Sequence, residues 1–211
     1  MKLYMVSLGC AKNQVDSEMI LGVCKNQMEI VATPEEADIL IVNTCAFIES
    51  ARKEAIDVIL DLSDYKANGK KLIVCGCLPQ RYKEKLNQLL PEVDRFISID
   101  EYANIGQIID SVVSSDYRLS GEYSFLNRVY STPQYMRYVK ISEGCMNHCA
   151  FCAIPLIRGR LKSRSIESIK EEVQMHVSDG VYEINLISQD TTKYGFDLYK
   201  KLSLVCLLYT F

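Results

Sequence analysis

The chain has 211 residues, 48% hydrophobic and 24% charged, with a formal net charge of −3. That length holds one large domain or two small ones. The mild acidity speaks against a dedicated nucleic-acid binder, which carries a basic face, and no apolar run is long enough to span a bilayer. Nine cysteines, an odd number, without a signal-peptide pattern at the N-terminus favour metal or redox chemistry in the cytoplasm over structural disulfides.

Residues 2–8 form a short apolar run ending at Gly9-Cys10, which suits a strand entering a turn. Residues 15–26 carry helical spacing through Val15, Met19, Ile20 and Val23. The unbroken run Ile39, Leu40, Ile41, Val42 marks residues 38–43 as a strand buried on both faces. Residues 49–66 read as an amphipathic helix, with Ala55, Ile56, Ile59 and Leu62 on one side and Gly69 beyond its end. Residues 71–75 repeat the buried-strand pattern, and Pro79 opens a helix through Leu90. Residues 95–99 are a fourth strand and 102–114 a fourth helix. Strand–helix alternation predicts a parallel sheet with helices on both faces.

Residues 114–133, rich in Ser, Tyr and Asp, read as a domain connection with room for a short hairpin. Residues 135–142 are then a strand running directly into a cysteine loop. Residues 165–179 are a helix with Ile166, Ile169 and Val173 on one face and Gly180 at its end. Its capping box is imperfect, because Ser168 stands where Glu or Gln is preferred. Residues 181–188 form the next strand. The expected fold class is α/β: a parallel-sheet domain at 1–116, a linker at 117–134, and the beginning of a second β/α array at 135–211. Too few residues follow Cys152 to close a barrel of ~250 residues. The apolar stretch 202–211 has no evident partner, so we expect a piece of a longer chain, or a reading frame altered near Lys200, and little or no activity from this chain alone.

The strongest chemical signal is Cys145, Cys149 and Cys152, spaced C-x3-C-x2-C, with Phe151 directly before the last. Three thiolates on so short a loop can hold three corners of a cubic iron–sulfur cluster and leave the fourth iron open to a substrate or cosubstrate. Zinc is the competing metal. It wants four N/S ligands, commonly from two cysteine pairs. His148 is the nearby fourth donor, but its place beside Cys149 turns its ring away from a metal held by that thiolate. Cys10, Cys45 and Cys77 each follow a predicted strand, which places all three at the carboxyl edge of one sheet, where open α/β sheets bind ligands. Gly9 and Gly76 precede two of them and permit close approach to a bulky group. Burial as small hydrophobes is the alternative, and it is the reading for Cys24, Cys75 and Cys206.

These segments resemble a known family. Ser7 to Glu18 (SLGCAKNQVDSE), Val42 to Ile48 (VNTCAFI), Gly76 to Tyr82 (GCLPQRY) and Glu143 to Arg160, containing the cysteine loop, are similar to the successive signatures of the radical S-adenosylmethionine methylthiotransferases. Lys12-Asn13 before Val15-Asp16-Ser17-Glu18, and Gln189-Asp190 before Thr191-Thr192, resemble the RimO-type subgroup rather than the tRNA-modifying MiaB type. The resemblance implies an N-terminal methylthiotransferase domain followed by the start of a radical partial (β/α) barrel. It implies two 4Fe–4S clusters, one on Cys145, Cys149 and Cys152 and one on Cys10, Cys45 and Cys77. S-adenosylmethionine would be the cosubstrate, and the β-carbon of an aspartate in ribosomal protein S twelve the target. A reducing electron donor is implied, with neither membrane nor direct nucleic-acid role. A tRNA-adenosine methylthiotransferase and a non-catalytic iron–sulfur or zinc fragment are the alternative functions.

Phe151 is expected to shield the cluster. Arg158, with Arg160, Lys162 and Arg164, forms a basic run suited either to a solvated loop or to the cosubstrate carboxylate or an acidic protein substrate. Gln189 and Asp190 end a strand on the expected active edge, with turn chemistry as the alternative. Asn13, Asp16 and Asn43 are candidates to support the ligands, or caps and turn residues. His148 and His176 have no catalytic partner in the sequence.

Overall fold

The computed structural model describes residues 1–113 and 117–211. The chain divides into two compact units, Met1–Tyr130 and Ser131–Phe211. The first is built on five parallel strands: β1 (Lys2–Ser7), β2 (Glu29–Ile30), β3 (Ile39–Thr44), β4 (Lys71–Gly76) and β5 (Arg95–Ile97). Their order across the sheet is β2-β1-β3-β4-β5. Helices α1 (Ala11–Cys24), α2 (Glu49–Ser63), α3 (Cys77–Leu89) and α4 (Ile105–Val113) make the connections or follow the last strand.

All six residues of β3 are buried, as an unbroken apolar run at the centre of a sheet requires. Side chains alternate between the faces. Leu3, Ile39, Ile41, Ile73, Cys75 and Ile97 pack with Ile20, Val23 and Cys24 of α1 and with Ile105 and Ile109 of α4. Leu40, Val42, Leu72, Val74 and Phe96 are buried on the alternate face, where α2 and α3 lie against β3 and β4. Each fully buried Leu or Ile contributes ~1.5–3 kcal/mol. Burial in this layer pushes the Cys24 thiol up to about 12, with Asp110 adding to the effect.

Several boundaries differ from the sequence reading for identifiable reasons. Helix α1 starts at Ala11, not Val15, because its first turns bury polar residues: Lys12, Asn13, Asp16, Ser17 and Glu18 are all buried. The α-helical part of the 49–66 segment ends at Ser63 and passes into a 3-10 turn, Asp64–Gly69. Pro79 is the third residue of α3, a position whose N–H has no helical partner in any case. A 3-10 turn, Ile99–Asn104, precedes α4. The predicted end of that last helix at Ser114 lies outside the described residues.

Residues 117–130 run back along the first unit. Tyr117, Leu119 and Tyr123 pack against its core, and Ser124 bridges to Asn127 in antiparallel fashion. Arg128 donates to Glu18 through Nη2 at 2.5 Å and Nε at 3.1 Å. Both side chains are essentially inaccessible, at 0% and 1% exposure.

At the start of the turn before α4, Glu101 accepts from the Ser98 amide at 2.8 Å, from the Ser98 hydroxyl at 2.6 Å and from Lys83 at 2.8 Å. Desolvation alone would raise its carboxyl; the bonds from Lys83 and Ser98 outweigh it and bring the group from 4.5 down to about 2. A carboxylate depressed in the folded state stabilises it above the unfolded value and loses that contribution as pH falls through the folded value. The thermal midpoint of the wild-type chain is therefore expected to fall more steeply between pH 4.5 and about 2 than that of Glu101→Gln. Parallel midpoint-versus-pH curves would contradict this.

The second unit contains one parallel β–α–β crossover: β6 (Met136–Lys140), α6 (Ile166–Ser178) and β9 (Glu183–Ile187). Between β6 and α6 lie β7 (Ser142–Glu143) and β8 (Lys162–Ser163), paired antiparallel, and the short helix α5 (Ile154–Arg158). The crossover matches the expected opening of a β/α array. Ser165 caps α6 by accepting from the Ser168 amide at 3.2 Å, so the serine at the third position supplies the donor even without an acidic partner. Val139, Ile141, Ile169, Val173, Tyr194 and Leu207 form the core. Helices α7 (Phe196–Tyr199) and α8 (Leu204–Leu208) follow β9. In α8, Leu207 is buried while Cys206 is exposed. Cys206 is thus not a core residue as its apolar surroundings suggested, because a single turn can bury only one of its faces. Among the described residues no helix is long and apolar enough to cross a membrane.

Candidate functional site

Strands β1, β3 and β4 are neighbours, with Ser7 beside Asn43 and Thr44 beside Gly76. Their carboxyl ends therefore finish level, and the cysteines follow at once. Cys10 is the cap residue of α1, Cys45 comes directly after β3, and Cys77 is the first residue of α3. Between β1 and β3 the chain reverses its direction across the sheet, toward β2 on one side and β4 and β5 on the other. Such a switch point opens a crevice at the carboxyl edge, and Cys10 and Cys45 flank it. The loops approach closely: a Cβ on Gly9 would lie 2.6 Å from Cys45 Cβ and 3.1 Å from its Sγ.

Buried amides tie these loops together. Asn13 Nδ2 donates to the carbonyl oxygens of Leu8 and Thr44, both at 2.9 Å, and Cys77 Sγ lies 3.6 Å from Asn13 Oδ1 as a donor. Asn43 Nδ2 donates to the Asn13 carbonyl at 2.8 Å and to Ser17 Oγ at 3.0 Å. Thr44 Oγ1 donates to the Cys75 carbonyl at 2.7 Å and accepts from the Leu78 amide at 3.3 Å. Asp16 accepts from the Tyr123 hydroxyl at 3.3 Å, which joins it to the 117–130 segment.

In the second unit the cysteine loop leaves β7 at Glu143. The Cys145 amide donates to the Gly159 carbonyl at 3.2 Å, the Asn147 amide to Cys145 Sγ at 3.4 Å, and the Cys152 amide to the Cys149 carbonyl at 3.1 Å. Two contacts secure the loop to the end of β9. Asn147 Nδ2 donates to Asp190 at 2.6 Å, and Gln189 Nε2 to Glu143 at 2.5 Å. Glu143 also receives Lys140 at 3.0 Å and Arg158 at 3.2 Å. Hydrogen bonding from the Thr192 hydroxyl, then from Asn147, holds the Asp190 carboxyl below the usual range despite partial desolvation.

Phe151 is 91% exposed and His148 is also exposed. Within the basic run, Arg158 is buried against Glu143. Arg164 is committed to Glu172 and Ser168, while Arg160 and Lys162 are exposed. His176, on α6, is buried 3.6 Å from Glu172 one turn earlier on the same helix. Glu143 and Asn147 escaped the sequence reading as functional groups. Glu143 adjoins the cysteine motif, but its partners lie up to 46 residues away, and nothing in their spacing announces the cluster.

All nine cysteines are described, and each is a free thiol. Among the described residues no three Cys, His, Asp or Glu side chains converge to hold one metal ion. A cubane makes a different demand, since each thiolate binds its own iron. Two sets of three thiols, on loops tied by hydrogen bonds, are of the soft-donor class that such a cluster takes.

Two family models match in order along the chain: the uncharacterized protein family UPF0004 over residues 2–98 and the radical SAM superfamily over residues 139–209. The chain is 49% identical over 207 residues to the ribosomal protein uS12 methylthiotransferase RimO of Geobacter sulfurreducens, covering 93% of this chain and 46% of that protein. It is 46% identical over 215 residues to the RimO protein of Clostridium perfringens strain 13, covering 97% and 48%. The chain thus spans about half the length of the curated relatives it matches. Among solved structures, the radical S-adenosylmethionine methyltransferase TsrM from Kitasatospora setae, with cobalamin and a 4Fe-4S cluster bound, aligns with a TM-score of 0.59 at 11% identity. That alignment covers 99% of this chain and 51% of that one, a likeness of fold. With both family models in sequence order and near-half identity to RimO proteins along its length, the chain belongs to the radical SAM methylthiotransferases, in their RimO-type branch.

Proposed function

We propose that this chain carries the two iron–sulfur sites of an enzyme that adds a methylthio group to the β-carbon of an aspartate in ribosomal protein S twelve. The observation that carries this reading is the pair of separate three-thiol sets, one following the parallel strands β1, β3 and β4 and one on the loop that leaves β7, in a chain 46–49% identical to uS12 methylthiotransferases. The named substrate of those relatives supports S twelve as the target.

Cys145, Cys149 and Cys152 each give up a proton to hold an iron of one cluster; Cys10, Cys45 and Cys77 do the same for a second. When bound, the clusters and S-adenosylmethionine supply reductive sulfonium cleavage, hydrogen abstraction and sulfur transfer, which side chains do not perform alone. The protein's part is to position them and exclude water. Glu143 gathers Lys140, Arg158 and Gln189 at the base of the loop, and Asn147 pins its crest to Asp190. Arg158 places positive charge beside that base, suited to receive the cosubstrate carboxylate. Phe151, apolar, exposed and directly before Cys152, would shield a bound cluster from solvent. The reaction belongs in the cytoplasm, with a reducing electron donor.

Anaerobically reconstituted chain is expected to hold about eight irons, and Cys145→Ala/Cys149→Ala/Cys152→Ala about four. One equivalent of zinc without iron would overturn the reading. Mass analysis of a strain lacking the gene is expected to show S twelve without its methylthio group. Loss of the mark from a tRNA adenosine with the aspartate still modified would assign the tRNA substrate instead.

A further inference from the structure

We propose that Asn13 is the positioning residue that sets the Cys10, Cys45 and Cys77 loops for one shared cluster; this rests on the reading of those thiols as ligands. A single fully buried amide touches all three loops. Its Nδ2 donates to the Leu8 carbonyl, two residues before Cys10, and to the Thr44 carbonyl, one residue before Cys45. Its Oδ1 accepts from Cys77 itself. Asn13 also rides on the helix whose cap residue is Cys10, so the amide and the first thiol move together.

The orientation of the amide is fixed by chemistry. Both carbonyl partners need donors, and turning the group over would set its oxygen against two other oxygens. Oδ1 therefore faces Cys77. Asn43 and its bonds to the Asn13 carbonyl and to Ser17 hold the helix start from behind. The three loops come from strands spaced ~4.8 Å apart, and the Leu8 and Thr44 carbonyls lie past and at the strand ends. Asn13 donates to both and, in doing so, ties the first two loops at one separation. When iron replaces the thiol protons, those protons pass to solvent and Cys77 gives up its bond to Oδ1. The two carbonyl anchors stay in place. A side chain with one anchor on each of two loops and an acceptor on the third locates the metal site without binding metal.

The test separates the two triads. In the Cys145→Ala/Cys149→Ala/Cys152→Ala chain, reconstituted anaerobically with iron and sulfide, Asn13→Ala is expected to lower bound iron by about tenfold or more. The EPR signal of the reduced cluster should go with it. In the Cys10→Ala/Cys45→Ala/Cys77→Ala chain, the same substitution is expected to leave iron and EPR signal unchanged, which reports that the second unit folds; a far-UV circular dichroism spectrum matching that of the chain with Asn13 intact reports the same of the first unit, and its loss would make the iron effect one of folding and overturn the positioning role. Asn13→Gln keeps the amide on a longer stem and is expected to restore part of the iron with an altered EPR line shape. Unchanged iron at the first triad, or equal loss at both, overturns the proposal. If the first chain takes up no iron even with Asn13 intact, the ligand reading falls and takes this inference with it.

Discussion

Gly144→Ala is expected to empty the Cys145–Cys149–Cys152 loop of iron and to lower the thermal midpoint of the chain. Gly144 has φ +72°, a left-handed conformation that costs a residue with a Cβ ~1–2 kcal/mol. Space is the larger obstacle. An added Cβ would stand 2.1 Å from the Arg160 carbonyl oxygen and 2.6 Å from the carbonyl oxygen of Gly159. Those atoms are backbone, so no side chain can rotate away. Relief requires moving the 159–160 strand entry, which breaks the bond from the Cys145 amide to Gly159, or moving the loop itself. Overpacking of this kind adds ~1–3 kcal/mol. Iron per chain, measured in the Cys10→Ala/Cys45→Ala/Cys77→Ala background, should fall from about four toward zero. Retention of iron and midpoint together would show that the loop tolerates a displaced root.

Arg128→Met is expected to destabilise the first unit by ~3–5 kcal/mol. The substitution matches volume and removes only the charge and its donors. Glu18 is then left with its carboxylate at 1% exposure and without the guanidinium that donates through two nitrogens. The cost is chiefly that of a buried carboxylate deprived of the guanidinium that donates to it. Adding Glu18→Leu to Arg128→Met should therefore recover part of the loss, since that carboxylate is then gone as well. Urea denaturation of the two single variants and the double variant gives the coupling directly. Additive losses would mean the pair does not act as a unit.

The sequence was legible wherever burial followed a period. Residues 39–42 and 72–75 had no polar interruption, and they form β3 and β4, interior strands of the sheet. Because strand ends could be placed, so could the cysteines that follow them. Ser165 and Gly180 bracketed α6 to within a residue or two. Legibility failed where burial is polar or the element is short. The first turns of α1 carry no apolar period before Val15, yet Lys12, Asn13, Asp16, Ser17 and Glu18 are enclosed, and Asn13, Asp16, Ser17 and Glu18 meet groups far along the chain. Glu18 meets Arg128 across 110 residues, and Asn13 meets Thr44 across 31. Two-residue strands such as β2, with both residues exposed, leave no periodic trace. The same holds for the supports of the second cysteine loop. Its ligand spacing is local and plain, whereas Glu143, Gln189 and Asp190 come together only through the β6–α6–β9 crossover.

The strand order also bears on maturation. Cys145, Cys149 and Cys152 fall within eight consecutive residues, so a nascent polypeptide presents that triplet as soon as the segment emerges from the ribosome. Cys10, Cys45 and Cys77 meet only after β1, β3 and β4 have zipped together, a non-local and hence slow event. The first triplet is therefore complete only once that sheet has formed, whereas the second is contiguous even in the unfolded chain.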